Sequence, residues 1–383
     1  MDFEYDRSVV AKVEAISSEY DEKYWREKCR NSQFPDEYWN SISKAGLFGL
    51  MIEEKWGGMG RSLLDLALGT QETAERYSGL GSYLFLSGCL VSTLFAKSSE
   101  EQKSKILPKL ATGDLKISIA LSEEKSGSDS TSLESKALKT SKGFDLSGSK
   151  RFVNNVDRAD YLIVFARTIP IENSGKKSKG LSMFLVPASS PGIKKKKLDK
   201  LGMDFINNFD IEFHGLHVSD DDIVGELDNG WYNAVDSFNL DRVATAASLI
   251  GAGRLAVNDA ADHSKKRIVF GKALGSNQGI QFPLAEAMAQ LITAEALMLK
   301  ACSLAGKSQN FTNFANLALL EAESAASYAT DRALQTFGAH GYYKDYDVER
   351  YWRDVRVHKI HPISEELLLS VIAERQLGLP KSF

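Results

Sequence analysis

Between about residue 116 and residue 228 the apolar side chains alternate, whereas on both sides they recur at helical spacing. A helix-period pattern does not settle as a strand, nor the reverse, so this double switch confines the chain to helices, then a sheet, then helices. Upstream, Val9, Val10, Val13 and Ile16 share a helix face, and Asp36 behind Pro35 opens a second pattern through Trp39, Ile42 and Leu47. Gly57, Gly58 and Gly60 break the array, and Leu63, Leu66, Leu68, Glu72 and Glu75 restart it. Pro108 is expected to interrupt or end the helix entered at Glu100, Glu101 and Gln102. In the middle segment, Ile117, Ile119 and Leu121 alternate with small polar residues as a half-buried strand. Further strands are expected from Phe144 and over residues 161–166, 181–187 and 209–213. No helical crossovers lie between them, so the sheet is expected to be antiparallel. The lysine run 194–197 reads as a solvated edge.

After Gly230 and Trp231 the helical period returns over residues 240–263, 284–306 and 314–336. Gly251, Gly253, Ala285, Ala289, Ala322 and Ala326 are small enough for close helix contact. The expected class is α+β: a helical domain over 1–115, an antiparallel β domain over 116–228 and a four-helix bundle over 229–383.

The 47 basic and 51 acidic side chains leave a net charge of −4, which offers nucleic acid no electrostatic footprint. No run of 18 apolar residues suggests a membrane span. Cys29, Cys89 and Cys302 are odd in number and widely spaced, which argues against a disulfide framework or a zinc site and for a reducing interior. The acidic opening, Met1 to Asp6, is unlike a targeting leader, and a cytoplasmic location is expected. His214 with His217, and His358 with His361, lack neighbouring ligands at a metal spacing, although His361 is placed to line a pocket.

The first strand of the middle domain runs into Ser126, Gly127 and Ser128, hydroxyls on a permissive backbone where N–H groups can face an anionic or carbonyl-rich ligand. With four other motifs, this segment resembles the acyl-CoA dehydrogenase family of flavoproteins along essentially the whole chain. The motifs are Glu54-Lys-Trp-Gly-Gly-Met-Gly60, the run Glu101 to Asp114, Leu121-Ser-Glu-Glu-Lys-Ser-Gly-Ser-Asp129, Arg267-Ile-Val-Phe-Gly-Lys272 with Gln278, and Gln335-Thr-Phe-Gly-Ala-His-Gly-Tyr342 followed by Val348-Glu-Arg-Tyr-Trp-Arg-Asp354.

The resemblance implies FAD and an α,β-dehydrogenation of acyl-CoA in fatty acid metabolism. It also implies electron transfer to an electron-transfer flavoprotein and a homotetramer built as a dimer of dimers. Positions matching the family's cofactor contacts are Ile119, Leu121, Ser122 and Ser128, then Phe152, Val153 and Asn154, where asparagine replaces the usual threonine. Ser364 and Glu366 are counted with them. Arg267, Phe270 and Gln278 match positions that hold the FAD of a neighbouring subunit, with Arg267 offering a forked cation to the pyrophosphate. Gln335, Thr336, Gly338 and Ala339 match the turn at the adenosine end. Ala339 stands where a second glycine is usual, so a positive φ there would carry strain. Ser128, Asn239 and Arg242 are expected near the acyl-CoA.

Removing the α-proton of a thioester needs a general base beside that carbon. Many members of the family use a glutamate just downstream of the Arg-Asp motif, and here the matching residue is Pro362, which neither accepts a proton nor donates a backbone N–H. A second base position in the family lies on the first bundle helix, immediately before an arginine. That position is Asp241, with Glu365 and Glu366 as rivals. An Asp241–Arg242 pair favoured by a helix N-terminus is the plain alternative to a catalytic role. A flavin monooxygenase on the same scaffold, or a non-catalytic subunit completing a partner's FAD site, are the other functions such a chain could serve.

Overall fold

The computed structural model describes residues 7–76, 81–307 and 310–381. The acidic opening, Met1 to Asp6, lies outside them. The N-terminal helices are α1 (Ser8–Ser17), α2 (Glu22–Arg30), α3 (Asp36–Lys44), α4 (Leu63–Glu75), α5 (Gly81–Leu90) and α6 (Glu100–Ala111). Side-chain caps set several starts: Asp21 accepts from the N–H of Tyr24, Ser62 from that of Asp65 and Ser99 from that of Gln102. Pro108 neither ends nor interrupts its helix, contrary to expectation, and α6 continues through it to Ala111. So near the C-terminal end the proline forfeits a single helical bond, and Ile106, Leu107, Leu110 and Ala111 are all buried by continuing.

The middle region holds β1 (Ile117–Ala120), β2 (Lys136–Thr140), β3 (Gly143–Asn154), β4 (Tyr161–Arg167), a one-turn α7 (Ile171–Ser174), β5 (Leu181–Pro187), β6 (Ile193–Leu198), β7 (Asn208–Val218) and β8 (Ile223–Val224). They form one sheet in the order β6-β7-β3-β2-β4-β5-β8, and the lysine run 194–197 lies exposed on the edge strand. Most neighbours are antiparallel, but β1 pairs parallel to β4, as does β2 at Lys136 and Arg167. Parallel pairing without a helical crossover works here because the returning chain is itself the β2–β3 hairpin and its loops. β4 is buried on both sides. Ile163 and Phe165 face the helices with Leu181 and Met183, while Leu162, Val164 and Ala166 meet Phe209, Ile211 and Phe213 inside the curled sheet. The polar–apolar assignment of β1 is reversed: Ser118 and Ala120 are buried, and Ile119 is 39% exposed.

The C-terminal region begins with α8 (Gly230–Lys266), ten residues earlier than periodicity suggested, followed by the short hairpin β9 (Ile268–Val269) and β10 (Lys272–Ala273). Then come α9 (Gln278–Leu304), α10 (Phe311–Phe337), α11 (Val348–Arg356) and α12 (Glu365–Leu377). Gly251 lets α8 press on α4, since a Cβ there would lie 2.4 Å from the Gln71 carbonyl oxygen, and Gly253 admits Leu291 and Ala326. Ala322 and Ala326 are buried as expected, but Ala285 and Ala289 point outward. By length and composition α9 could cross a membrane, yet Leu284, Ala287, Leu291, Ala294 and Met298 pack it against the rest of the bundle.

The regions share their cores. Trp25, Tyr38, Phe48, Phe85 and Leu66 of the first meet Phe205 of the second and Val243, Leu249, Met298 and Leu319 of the third. Where α2, the β6–β7 connection and α11 come together, a polar cavity of about 360 Å³ is crossed by ion pairs from Arg26 to Asp347 (2.7 Å) and from Arg353 to Asp204 (3.0 Å). These bonds tie α11 to α2 and to the β6–β7 connection.

Candidate active site

β1 and β2 occupy successive stretches of the same edge of β4, so residues 121–135 leave that edge as a loop and return to it. A buried ion pair shapes the loop. The Lys150 ammonium donates to Glu123 at 2.7 Å and to the Leu121 carbonyl at 3.0 Å, while Glu123 accepts the N–H groups of Glu134 (2.6 Å) and Ser135 (2.9 Å). Burial alone would raise the Glu123 carboxyl, but Lys150 and these N–H groups outweigh it and hold it below its ordinary value. Burial pulls Lys150 down to about 8, which leaves it protonated at neutral pH. Arg167 fastens the far side by donating to the carbonyls of Thr131, Leu133, Lys177 and Lys179. Ser128 and Gly127 are exposed at the tip, and the Ser126 hydroxyl is buried without a hydrogen-bond partner among the described residues.

The register of β3 against β7 slips between Lys150 and Val153, and Phe152 sits in the bulge at φ 62°. A bulky residue rarely adopts a positive φ. The bulge drives its ring outward, 59% exposed, under the Arg151 guanidinium. Val153 turns the other way into the sheet core, so it has a backbone, and no side chain, to offer a cofactor. Asn154 is held on both sides: its carbonyl oxygen accepts from Asn208 at 2.5 Å and its amide donates to the Tyr83 hydroxyl.

Tyr83 brings the helical domain into the site. It faces Asp241, whose charge, after burial, is the next cause of the raised Tyr83 phenol. Asp241 lies eleven residues into α8, far from either end, so the helix-terminus explanation of the Asp241–Arg242 pair does not apply. Burial pushes its carboxyl up to about 6, against the pull of Arg242. Arg242 donates to the Asn239 side chain at 2.7 Å, and Asn239 donates to Thr312 at 3.2 Å. One carboxyl with its affinity for protons tuned near neutrality thus stands where α5, β3 and α8 meet, a poise suited to general-base work.

The rivals sit elsewhere in character. Glu365 pairs with Lys359 at 2.9 Å, and Glu366 is exposed on the first turn of α12, where its backbone N–H and Ser364 hold it low. Ser364 is the N-cap of α12, accepting from the N–H of Leu367, and Pro362 precedes it in the turn. His358 lines a small cavity beside Tyr83, and no metal-binding cluster occurs among the described residues.

The remaining expected contacts come from the β9–β10 hairpin, the start of α9 and the end of α10. Arg267 and Gln278 are exposed, and Phe270, at the tip of the β9–β10 hairpin with φ 51°, is 99% exposed. Gln335 and Ala339 are exposed as well, but the Thr336 hydroxyl donates to the Arg332 carbonyl and is turned into its own helix. Gly338 takes the positive φ of 59°, and Ala339 is spared the strain expected of it.

An exposed aromatic ring on a bulge, an outward Ile119, loop N–H groups with the orphaned Ser126 hydroxyl and the anchored Asn154 amide fit the planar, hydrogen-bonding ring system of FAD. Tyr83 and the Glu123–Lys150 pair escaped the sequence reading. A lone phenol in the apolar stretch 81–90 was the one available hint, and nothing local links residues 123 and 150.

Comparison with known proteins identifies the family. Family models match residues 4–114 (acyl-CoA dehydrogenase, N-terminal domain), 118–216 (middle domain) and 228–377 (C-terminal domain). The chain is 33% identical to an acyl-CoA dehydrogenase of Bacillus subtilis (strain 168), covering 91% of this chain and 92% of the relative. It is 30% identical to acyl-CoA dehydrogenase FadE12 of Mycobacterium tuberculosis (strain ATCC 25618 / H37Rv), over 95% of this chain and 94% of that one. Butyryl-CoA dehydrogenase from Megasphaera elsdenii superposes with a TM-score of 0.92 at 28% identity, covering 98% of this chain and 100% of that one.

Proposed function

Since the chain belongs to the acyl-CoA dehydrogenase family of FAD-dependent enzymes, we propose that it dehydrogenates an acyl-CoA thioester across its α and β carbons, with an electron-transfer flavoprotein taking the electrons. The observation that carries this reading is Asp241, a partly buried carboxyl poised near 6 between Tyr83 and Arg242 at the three-domain cleft. FAD, held along Ile119 to Ser128 and over Phe152, would accept the β-hydride. Asp241 would take the α-proton, so that a carbon–carbon double bond forms as both C–H bonds break. Asn154, anchored by Asn208 and Tyr83, would present its amide at the cofactor edge, and Ser128 and Arg242 would lie toward the CoA, whereas Asn239 is buried and acts by holding Arg242 at 2.7 Å. Pro362 gives the thioester carbonyl no N–H donor.

The reading includes a homotetramer in which Arg267, Phe270, Gln278, Gln335, Gly338 and Ala339 serve a neighbour's FAD. The fully exposed Phe270 and the outward apolar residues Phe282 and Ile292 of α9 support a second copy there. A cytoplasmic site of action agrees with three cysteines that are buried and unpaired.

Anaerobic mixing of the flavin-loaded protein with a panel of acyl-CoA thioesters tests the reaction: at least one should bleach the flavin. A panel that leaves the flavin oxidised, while oxygen rapidly reoxidises chemically reduced enzyme, would replace dehydrogenation with oxygen chemistry. The pH dependence follows from the carboxyl. Protonated Asp241 cannot accept a proton, so kcat/KM should rise with pH through an apparent pKa near 6 and level above it. A profile flat from pH 5 to 8 would remove Asp241 from the chemistry.

A further inference from the structure

We propose that Tyr83 closes the acyl end of the pocket and restricts the enzyme to short acyl groups. This deepens the dehydrogenase reading and rests on it. On α8 the residues Asp241, Thr245, Ser248 and Ala252 follow at steps of four, three and four, which places them on one face. Asp241 and Ser248 are about 10 Å apart along the axis at the helical rise. Tyr83 spans this stripe. Its hydroxyl end stands by Asp241, and its ring shares the walls of a cavity with Ser248, Leu249, Ala252, Val355 and His358. An acyl chain whose α-carbon lies at Asp241 meets that ring just past its reacting carbons.

The ring is not free to swing aside. Asn154 donates to its hydroxyl, Asn208 holds Asn154 at 2.5 Å, and on the same helix turn Ser82 shares a 2.6 Å hydrogen bond with Ser248. The cavity behind it measures about 20 Å³, room for about one water-sized group. Its far wall is also wrong for an alkyl tail. Among the residues lining it, Asp354 Oδ2 and His358 Nδ1 are buried without hydrogen-bond partners among the described residues, beside the Arg350 guanidinium, which pairs with Asp347 at 3.3 Å. A methylene chain pushed among them would keep water from groups that need it. Size and polarity therefore set the same limit.

The test is the rate of anaerobic flavin bleaching by butyryl-, octanoyl- and palmitoyl-CoA in the wild type, Tyr83→Phe and Tyr83→Ala. A methylene too many in a closed pocket is discriminated by about 10- to 200-fold. The wild type should therefore favour butyryl- over octanoyl-CoA by at least about tenfold in kcat/KM and leave palmitoyl-CoA untouched. Tyr83→Phe should keep that order, and Tyr83→Ala should shift it toward octanoyl-CoA by about tenfold or more. Equal bleaching by octanoyl- and butyryl-CoA in the wild type, or an unchanged ratio in a flavin-loaded Tyr83→Ala, overturns the gate and leaves the dehydrogenase standing. Bleaching by none of the thioesters overturns the dehydrogenase and the gate together. Should Tyr83→Ala fail to fold, the same ratio is read in Tyr83→Leu, whose smaller side chain should also shift it toward octanoyl-CoA, and an unchanged ratio there overturns the gate.

Discussion

Asp241→Asn should give a folded, flavin-loaded protein that acyl-CoA bleaches about 10²- to 10⁴-fold more slowly, the span a positioned general base contributes. The amide has nearly the shape of the carboxyl and keeps a hydrogen-bonding face toward Arg242, but it cannot take a proton at any accessible pH. Stability should not fall with activity. The folded pKa of Asp241, about 6, lies above that of an unfolded aspartate, so the protonated form is the one favoured by folding. Its stabilising contribution is present below the unfolded value and is lost as pH rises through about 6. At neutral pH the native protein therefore carries an ionised carboxylate that burial disfavours, and the asparagine variant should melt no earlier. Undiminished bleaching in the variant would transfer the role to Glu365 or Glu366, which α12 would then have to bring around.

Lys150→Met should cost about 3–5 kcal/mol and empty the flavin site, because it leaves Glu123 as a buried charge without its cation. Glu123→Gln should cost a similar amount. It strands the ammonium, which is fully enclosed, and spoils acceptance from Glu134 and Ser135, so the loop from 121 to 135 loses its anchor to the sheet. The double variant Glu123→Gln/Lys150→Met should be less destabilised than the two singles added together, since neither charge remains to be stranded. Denaturation midpoints and the flavin content of the purified variants measure this. A single variant with wild-type stability and full flavin content would show that the pair does not hold the loop.

Much of the architecture was legible along the chain because apolar periodicity is a local property. The unbroken apolar run 161–166, the alternation over 209–213 and the helical repeats on either side dictate helices, sheet, helices before any contact is known. The motifs carrying the family resemblance are also contiguous stretches, and they were enough to name the cofactor class and to put Pro362 at the position where the resemblance implies a base. What needed the folded chain was everything decided between distant residues. Burial of Ser118 in place of Ile119 depends on what lies on each face of β1, and the survival of α6 past Pro108 on the core waiting for Leu110. The position of Asp241 deep inside α8, and the meeting of Tyr83, Asn154 and Asp241 from three regions, follow from packing whose energy is shared across the whole molecule. No period in the sequence records which side chains that packing will bring together.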